Sequence, residues 1–431
     1  MKSLKISTLI HRDFLPVAIS FVEQTSLAFG LGREEALKLT LASEEVFSYL
    51  CDILKEDKEL EIVCTGGFYF VSAEFSFDRV ELSLQAFNVT AEISSESEEA
   101  LKDMGLLIAA RSVDHLSLED SQGEKLILRL VKEKSYPVPE PVEPPVTPFM
   151  NSYSVKVPTD DEIKAFSYLL SAHCEGYPLL PAFRYPGKLV DMVSSSLYRI
   201  AVAKDERGLI GGGALWRRMN EKIVELFGPY LFNQKGNNEM AQSLLNACLE
   251  GIARTEIIGL LCRYPAEDFP REYFESIGSV VGYEKGKEPA EFPSVFRLLH
   301  EDVGTHVYAP KALLSFVEAE YRRLALPRDV YASDYSGEHR GDDSVFTSEF
   351  DKELGRVVIR SLMPGKDCRE NIAKHLAVFE NEHLLNIFFE VDLGIPSQAY
   401  IVDSLVGIGF QPRIIIPYGG KSDLVVFQYA R

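Results

Sequence analysis

Apolar and polar positions change their spacing along this chain in a regular way, and the spacing predicts most of its elements. Residues 4–10 alternate as a strand does, and 14–29 carry an amphipathic helical stripe. Across 34–54 the side chains of Leu37, Leu39, Leu41, Val46, Phe47, Leu50 and Leu54 return at helical intervals. Three β segments follow at 59–64, 68–75 and 79–86, the first two joined by a tight turn at Gly66 and Gly67. A helix over 98–115 and a closing strand over 125–131 complete the set. Helices laid on one face of an antiparallel sheet form an α/β sandwich.

The segment from Tyr136 to Pro148 then breaks the pattern with a density of prolines that neither a helix nor a ladder accepts. Beyond it, 160–174 reads as a helix, and 198–204 with 209–216 as a hairpin. A strand at 222–232, a helix at 240–253, a strand at 257–264 and a short helix at 270–277 follow. A similar order then recurs: helix 310–324, strands 344–350 and 355–362, helix 369–381, strand 384–391, helix 397–408 and a strand pair at 413–417 and 423–429. The reading is an α/β (α+β) chain with a domain at 1–135, a linker at 136–150, and two mixed-sheet domains of related order at 151–303 and 304–431.

Composition narrows the function. The chain has 431 residues, 46% hydrophobic and 26% charged, with a net charge of −20. Counterion release on nucleic acid or anionic lipid needs clustered Lys and Arg, and no such cluster appears, so neither a nucleic-acid nor a membrane partner is expected. No apolar run reaches the length of a membrane span, and the first twenty-odd residues are interrupted by charge, which points to the cytoplasm. The six cysteines lack C-x-x-C spacing and read as reduced thiols. His173, His339, His375 and His383 show no ligand spacing, so no metal site is expected.

Two stretches carry a resemblance. The run from Leu41 to Tyr49, with Glu44 and Glu45, and the run from Asp103 to Leu116, with Gly105, resemble the two helical boxes of GHKL-type ATPase domains, as in bacterial anti-sigma-factor serine kinases. The resemblance implies a first box in which a Glu is followed by a magnesium-binding Asn; here Glu45 is kept and the Asn position is Tyr49. It implies an Asp and glycines on the adenine, where this chain has the run 85–90 with none of them. It implies a Gly-x-Gly phosphate turn, where Asp103 replaces the first glycine and only Gly105 remains. Mg²⁺ asks for close octahedral oxygens, and an Asp facing phosphate repels it, so ATP binding and kinase activity are not expected. What the resemblance leaves is a regulatory domain with a protein partner, of a kind that often forms homodimers. A generic α/β sandwich remains the alternative.

The later domains resemble GNAT acetyltransferases in their element order. The run Arg271 to Gly278 and the run Asp403 to Pro412, with Gly409-Phe410, resemble the family's helix end that leads into a strand. The resemblance implies an acetyl-CoA pyrophosphate loop before a helix, and the matching residues are Asn233, Gln234, Lys235, Gly236, Asn237 and Asn238. The glycine comes one residue early, and a turn with ordinary capping chemistry explains the same residues. For catalysis the strand residue Glu225 is the candidate base and Tyr273 the candidate acid, a solvated strand face being the alternative for Glu225. A gap between the strands at 222–232 and 257–264 filled by Phe227, Tyr230 or Arg263 would argue against acetyl-CoA. Gly211, Gly212 and Gly213 mark a bulge or a close backbone approach, or a substrate groove. Two function classes stay open: an acetyl-CoA-dependent N-acyltransferase acting on an amine, and a noncatalytic regulatory protein that binds a partner or ligand.

Overall fold

The computed structural model describes residues 2–54, 58–78, 105, 108–121, 125–137, 147–174, 180–333, 341–351 and 354–430. The chain is mixed α/β and divides into two compact units. The smaller comprises Met1–Pro137 with Asp342–Glu349, and the larger Val138–Gly341 with Phe350–Arg431.

In the smaller unit, β1 (Lys2–Leu9) leads into α1 (Leu15–Ala28) and α2 (Arg33–Ile53). The strands β2 (Glu59–Gly66), β3 (Phe70–Asp78), β4 (His115–Ser121) and β5 (Lys125–Glu133) complete an antiparallel sheet of order β1-β2-β3-β5-β4. Alternation on β2 and β5 buries Leu60, Ile62, Cys64, Leu126, Leu128 and Leu130, and the helices cover that face with Val22, Leu39, Val46 and Phe47. Val345, from the second stretch of this unit, joins the same core. The helix expected over 98–115 is corrected at its end. Residues 108–112 are helical, but His115 opens β4, because Leu116 and Leu118 alternate against β5. The strand at 79–86, the box at 85–90, Asp103 and most of the proline segment lie outside the described residues.

The larger unit runs β6 (Ser154–Lys156), α3 (Asp160–His173), α4 (Pro186–Ser194), β7 (Arg199–Lys204), β8 (Ile210–Arg218), β9 (Ile223–Leu231), α5 (Asn238–Ile252), β10 (Gly259–Cys262), β11 (Glu275–Gly282) and β12 (Ala290–Leu298). It continues with β13 (Thr305–Ala309), α6 (Lys311–Arg323), β14 (Arg328–Ala332), β15 (Val345–Asp351, which begins in the smaller unit), β16 (Arg356–Met363), α7 (Cys368–Asn381), β17 (Asn386–Asp392), α8 (Pro396–Ala399), α9 (Ile401–Ile408), β18 (Phe410–Ile416) and β19 (Leu424–Tyr429). From β16 the sheet order is β16-β17-β19-β18-β11-β12-β10-β9-β8-β7-β6. Read outward from the β11·β18 seam, both halves give the same sequence: a closing hairpin, then a parallel pair joined through a helix. The parallel strands β10 and β17 are apolar and buried throughout or nearly so, as strands covered on both faces are.

The seam is narrow. Gly278 of β11 pairs with Ile414 of β18. Beyond that point two side-chain amides replace the neighbouring strand. Gln428 accepts from Val281 N at 2.9 Å and donates to Val281 O, and Asn386 accepts from Tyr283 N and donates to Tyr283 O, both at 2.9 Å. One apolar cluster, with Leu261, Ile277 and Phe296 against Phe388, Ile414 and Val426, spans both halves. Behind it the buried Arg328 guanidinium lies between Asp423 at 2.7 Å and Asp302 at 2.8 Å.

The short helix expected at 270–277 is absent. Tyr273, Phe274 and Ile277 have helical spacing, but Glu275–Gly282 is claimed by the β12 ladder, with a bulge at Gly278. The helix expected over 397–408 is two pieces meeting at Tyr400, and it ends on Gly409 at φ 114° before β18. Gly211, Gly212 and Gly213 mark close approaches: an added Cβ would meet Met150 Sδ at 2.7 Å, Tyr230 O at 2.7 Å and Phe166 Cε2 at 2.5 Å. They open no groove.

At Gly278, φ is 117° and an added Cβ would fall 2.0 Å from Arg413 O. Gly278→Ala should therefore cost about 3 kcal/mol, from left-handed backbone plus a displaced carbonyl. Gly236→Ala has φ 80° and nothing within 4 Å of the new Cβ, so it should cost about 1 kcal/mol. Urea unfolding of the full chain measures both, and equal losses would remove the steric argument for the seam.

Candidate functional site

The parallel pair β9/β10 is the natural place for a ligand, because parallel strands that part leave backbone groups and a helix N-terminus open. Pairing runs from Ile223 and Gly259 to Glu225 and Leu261, and β9 continues to Leu231. The gap beyond is crossed by this chain's own side chains. Cys262 Sγ reaches Gly228 O at 3.9 Å, and Pro229 has no N–H to offer. Phe227 packs edge-on against Phe183 at 5.3 Å and Tyr198 at 5.7 Å between centroids. Tyr230 is half-buried, and loss of solvent pushes its phenol well above the usual range.

Glu225 is 3% exposed. Its Oε2 accepts from Arg217 Nη2 at 2.8 Å, and Oε1 lies 3.0 Å from Arg263 Nε. Arg263 also meets Glu390 of β17 at 3.3 Å, and Arg360 of β16 meets the other oxygen of Glu390 at 2.7 Å. Arg217 lies over the rings of Tyr198 and Phe227. Burial opposes ionisation of Glu225, but Arg263 and Arg217 outweigh it and hold its carboxyl below the usual range. A general base near neutral pH needs the opposite shift and an accessible lone pair. Glu225, the candidate base, is an ion-pair member with both oxygens engaged by guanidiniums. Tyr273 is also displaced from its expected role. It is 58% exposed in the turn before β11, with the Arg297 guanidinium 5.0 Å over its ring, while two strands, β12 and β10, separate β11 from β9.

The loop between β9 and α5 sits where the sequence places it, and its polar groups are spent internally. Gln234 is fully buried; its oxygen accepts from Met150 N and its nitrogen donates to Pro148 O, both at 2.8 Å. Asn237 caps α5 by accepting from Met240 N at 3.1 Å and donates to Met150 O at 3.2 Å. Gly236 N donates to the Asp268 carboxylate at 3.3 Å, and Lys235 pairs with Glu267 at 2.9 Å. Asn233 adopts φ 55° and is exposed, and Asn238 N closes a turn on Gly236 O at 3.0 Å. The Gly236 N–H is thus engaged by a carboxylate of this chain.

The other parallel pair repeats the theme. β16 and β17 pair from Arg356 and Asn386 to Arg360 and Glu390. Past that point Gln398 bridges them, accepting from Asp392 N at 2.9 Å and donating to Ser361 O at 3.4 Å.

In the smaller unit the two box residues come together: a Cβ added at Gly105 would lie 2.6 Å from Glu45 Oε2. Burial, then the neighbouring Glu44, raises the Glu45 carboxyl. Tyr49 is 3% exposed in the core and presents no ligand oxygen to an open site. Among the described residues no group of three or more His, Cys, Asp or Glu could hold a metal, and no helix is long and apolar enough to cross a membrane.

Sequence reasoning named Arg263 as a filler of the gap but did not find Arg217, Glu390, Arg360, Asp268 or Gln398. A signal existed for Glu390 and Arg360, since a charge inside an apolar strand such as β17 must find a partner. No family model matches the sequence, and no curated protein matches it. Solved structures similar to part of the chain include a GNAT superfamily phosphinothricin acetyltransferase from Sinorhizobium meliloti in complex with acetyl-CoA, at 15% identity, covering 35% of this chain and 89% of that one with a TM-score of 0.29. An acetyltransferase of the GNAT family from Staphylococcus aureus gives 14%, 35%, 100% and 0.26 in the same order. Mutant forms of a spermidine/spermine N-acetyltransferase from Vibrio cholerae give 12%, 34%, 95% and 0.28. At these values the likeness carries no argument about activity.

Glu225→Ala leaves Arg217 and Arg263 facing a lost partner and should cost about 3 kcal/mol at neutral pH. Because the folded carboxyl lies below its unfolded value of about 4.3, its contribution is complete above that pH and is lost as pH falls through the folded value. Urea unfolding of wild type and variant at neutral pH and at about pH 3 should show the difference shrinking in acid. A difference that grows in acid would mean the carboxyl is raised, as a base requires.

Proposed function

We propose that the larger unit is an acyltransferase-type scaffold that works by binding and not by acyl transfer. The observation that carries this reading is Asp268 on the Gly236 N–H, an internal carboxylate at the point where a pyrophosphate would dock. Glu225, held ionised between two guanidiniums, supports it from the side of catalysis. The smaller unit extends the reading. Its resemblance to GHKL-type ATPases keeps Glu45 and Gly105 in contact, while the magnesium position is a buried Tyr49. We read it as a domain that recognises a regulatory protein partner without ATP, as a homodimer, in the cytoplasm.

One observation favours the other reading, an acetyl-CoA-dependent N-acyltransferase with an amine acceptor. β9 and β10 are parallel, their pairing stops at Glu225, and the loop 233–238 leads directly into α5. Under that reading Asp268 is a displaceable stand-in for phosphate.

Calorimetric titration of acetyl-CoA into the full-length chain separates the two. The binding reading expects no saturable heat at millimolar ligand and no acetylation of small amines. Saturable micromolar binding that is lost in Gly236→Asp and strengthened in Asp268→Asn would overturn it in favour of acyl transfer.

A further inference from the structure

One cavity in the larger unit is away from both parted strand pairs. It lies against the C-terminal end of α5, between the β6/β7 edge of the sheet and the end of α4, with a volume of about 580 Å³. Measured along α5 at 1.5 Å per residue, it is roughly 15–20 Å from the loop at the helix N-terminus. It is therefore separate from the site discussed above and independent of the function proposed there.

Its walls have two kinds of chemistry. Ala201, Trp216 and Ala247 supply an apolar floor, and Val155 and Val157 an apolar lip. Lys156 and Arg199 place two cations at the opening against the single carboxylate of Glu250. Arg199 spends one N–H on Gly251 O at 2.7 Å, so the carbonyl end of α5 is already partly answered. Cations predominate at this opening on a chain whose net charge is −20. Trp216 adds a second feature. It is 6% exposed, and its indole Nε1 has no hydrogen-bond partner among the described residues, an unspent donor in the cavity wall. Gly251 makes room for the indole, since a Cβ there would come 2.9 Å from Trp216 Cζ2.

We infer that this cavity binds a small amphipathic acid, with an apolar body on the Trp216 floor and one anionic group at Lys156 and Arg199. Its volume falls in the range of small-molecule sites, about 300–1,000 Å³, and an apolar pocket with a few polar groups at one end is their usual form. An uncharged ligand would leave the cationic rim unused, and a strongly charged one would not accept the floor.

Trp216 is the sole tryptophan of the chain, so its fluorescence reports the cavity directly. The test titrates phenylbutyrate and its uncharged counterpart phenylbutanol into the full chain. Phenylbutyrate should give a saturable emission change, with the alcohol roughly threefold weaker, as one partly exposed charge allows. Lys156→Met, at an exposed position, should abolish that difference, and Ala247→Phe should remove the emission change by filling the floor. Urea unfolding checks that the filled variant is folded; if it is not, the Lys156→Met comparison decides alone. No saturable change at millimolar ligand, a change that persists in folded Ala247→Phe, or equal binding of acid and alcohol by wild type would overturn the assignment.

Discussion

The larger unit depends on how one strand edge is satisfied at Gly278. β11 touches β18 there and then drifts away, which would leave buried peptide groups without partners at about 1–3 kcal/mol each. Gln428 and Asn386 prevent this, because a primary amide offers the same donor and acceptor as a peptide bond. Each side chain takes the N–H and the carbonyl of one β11 residue, so the edge behaves as though the sheet continued. Glycine at the crossing allows the carbonyl of Arg413 to come close enough for the hairpins to meet. The positions of both parallel pairs follow from this seam.

With the halves so joined, charged residues of the two parallel pairs face one another. Glu225 belongs to β9 and Glu390 to β17, and Arg263 stands between them. Such a network adds little net stability over an apolar equivalent, but breaking it is expensive, so it specifies register between the halves. It also holds the Glu225 carboxyl below the usual range. The same side chains cannot be interdigitated with guanidiniums for alignment and also stay free to accept a substrate proton.

Local pattern made part of this legible. The α2 boundaries are visible to within one residue, because the apolar repeat begins and ends with the helix. β2 and β5 are legible for the same reason at period two. The failures have a common cause in long-range pairing. Glu275–Gly282 carries a helical spacing that the β12 ladder overrides, and β4 past His115 is short and polar enough to read as no element. The loop at 233–238 was placed correctly before α5, yet its role turns on Pro148, Met150 and Asp268, which lie 32 to 86 positions away. A motif shows which groups are available; it does not show which other part of the chain has already engaged them.

The same distinction applies to the second parallel pair. At β16/β17 the Gln398 amide accepts from Asp392 N and donates to Ser361 O, the two contacts that an extended, amide-bearing ligand would make on entering between the strands. Cys262 spans the first gap more weakly, through a thiol contact at 3.9 Å. The two halves thus differ in how firmly they are closed. The first is held by the thiol contact and, at its loop, by the half-buried Asp268 carboxylate. In the second the bridging amide belongs to the short helix that follows β17, so opening the gap would cost that turn its anchor.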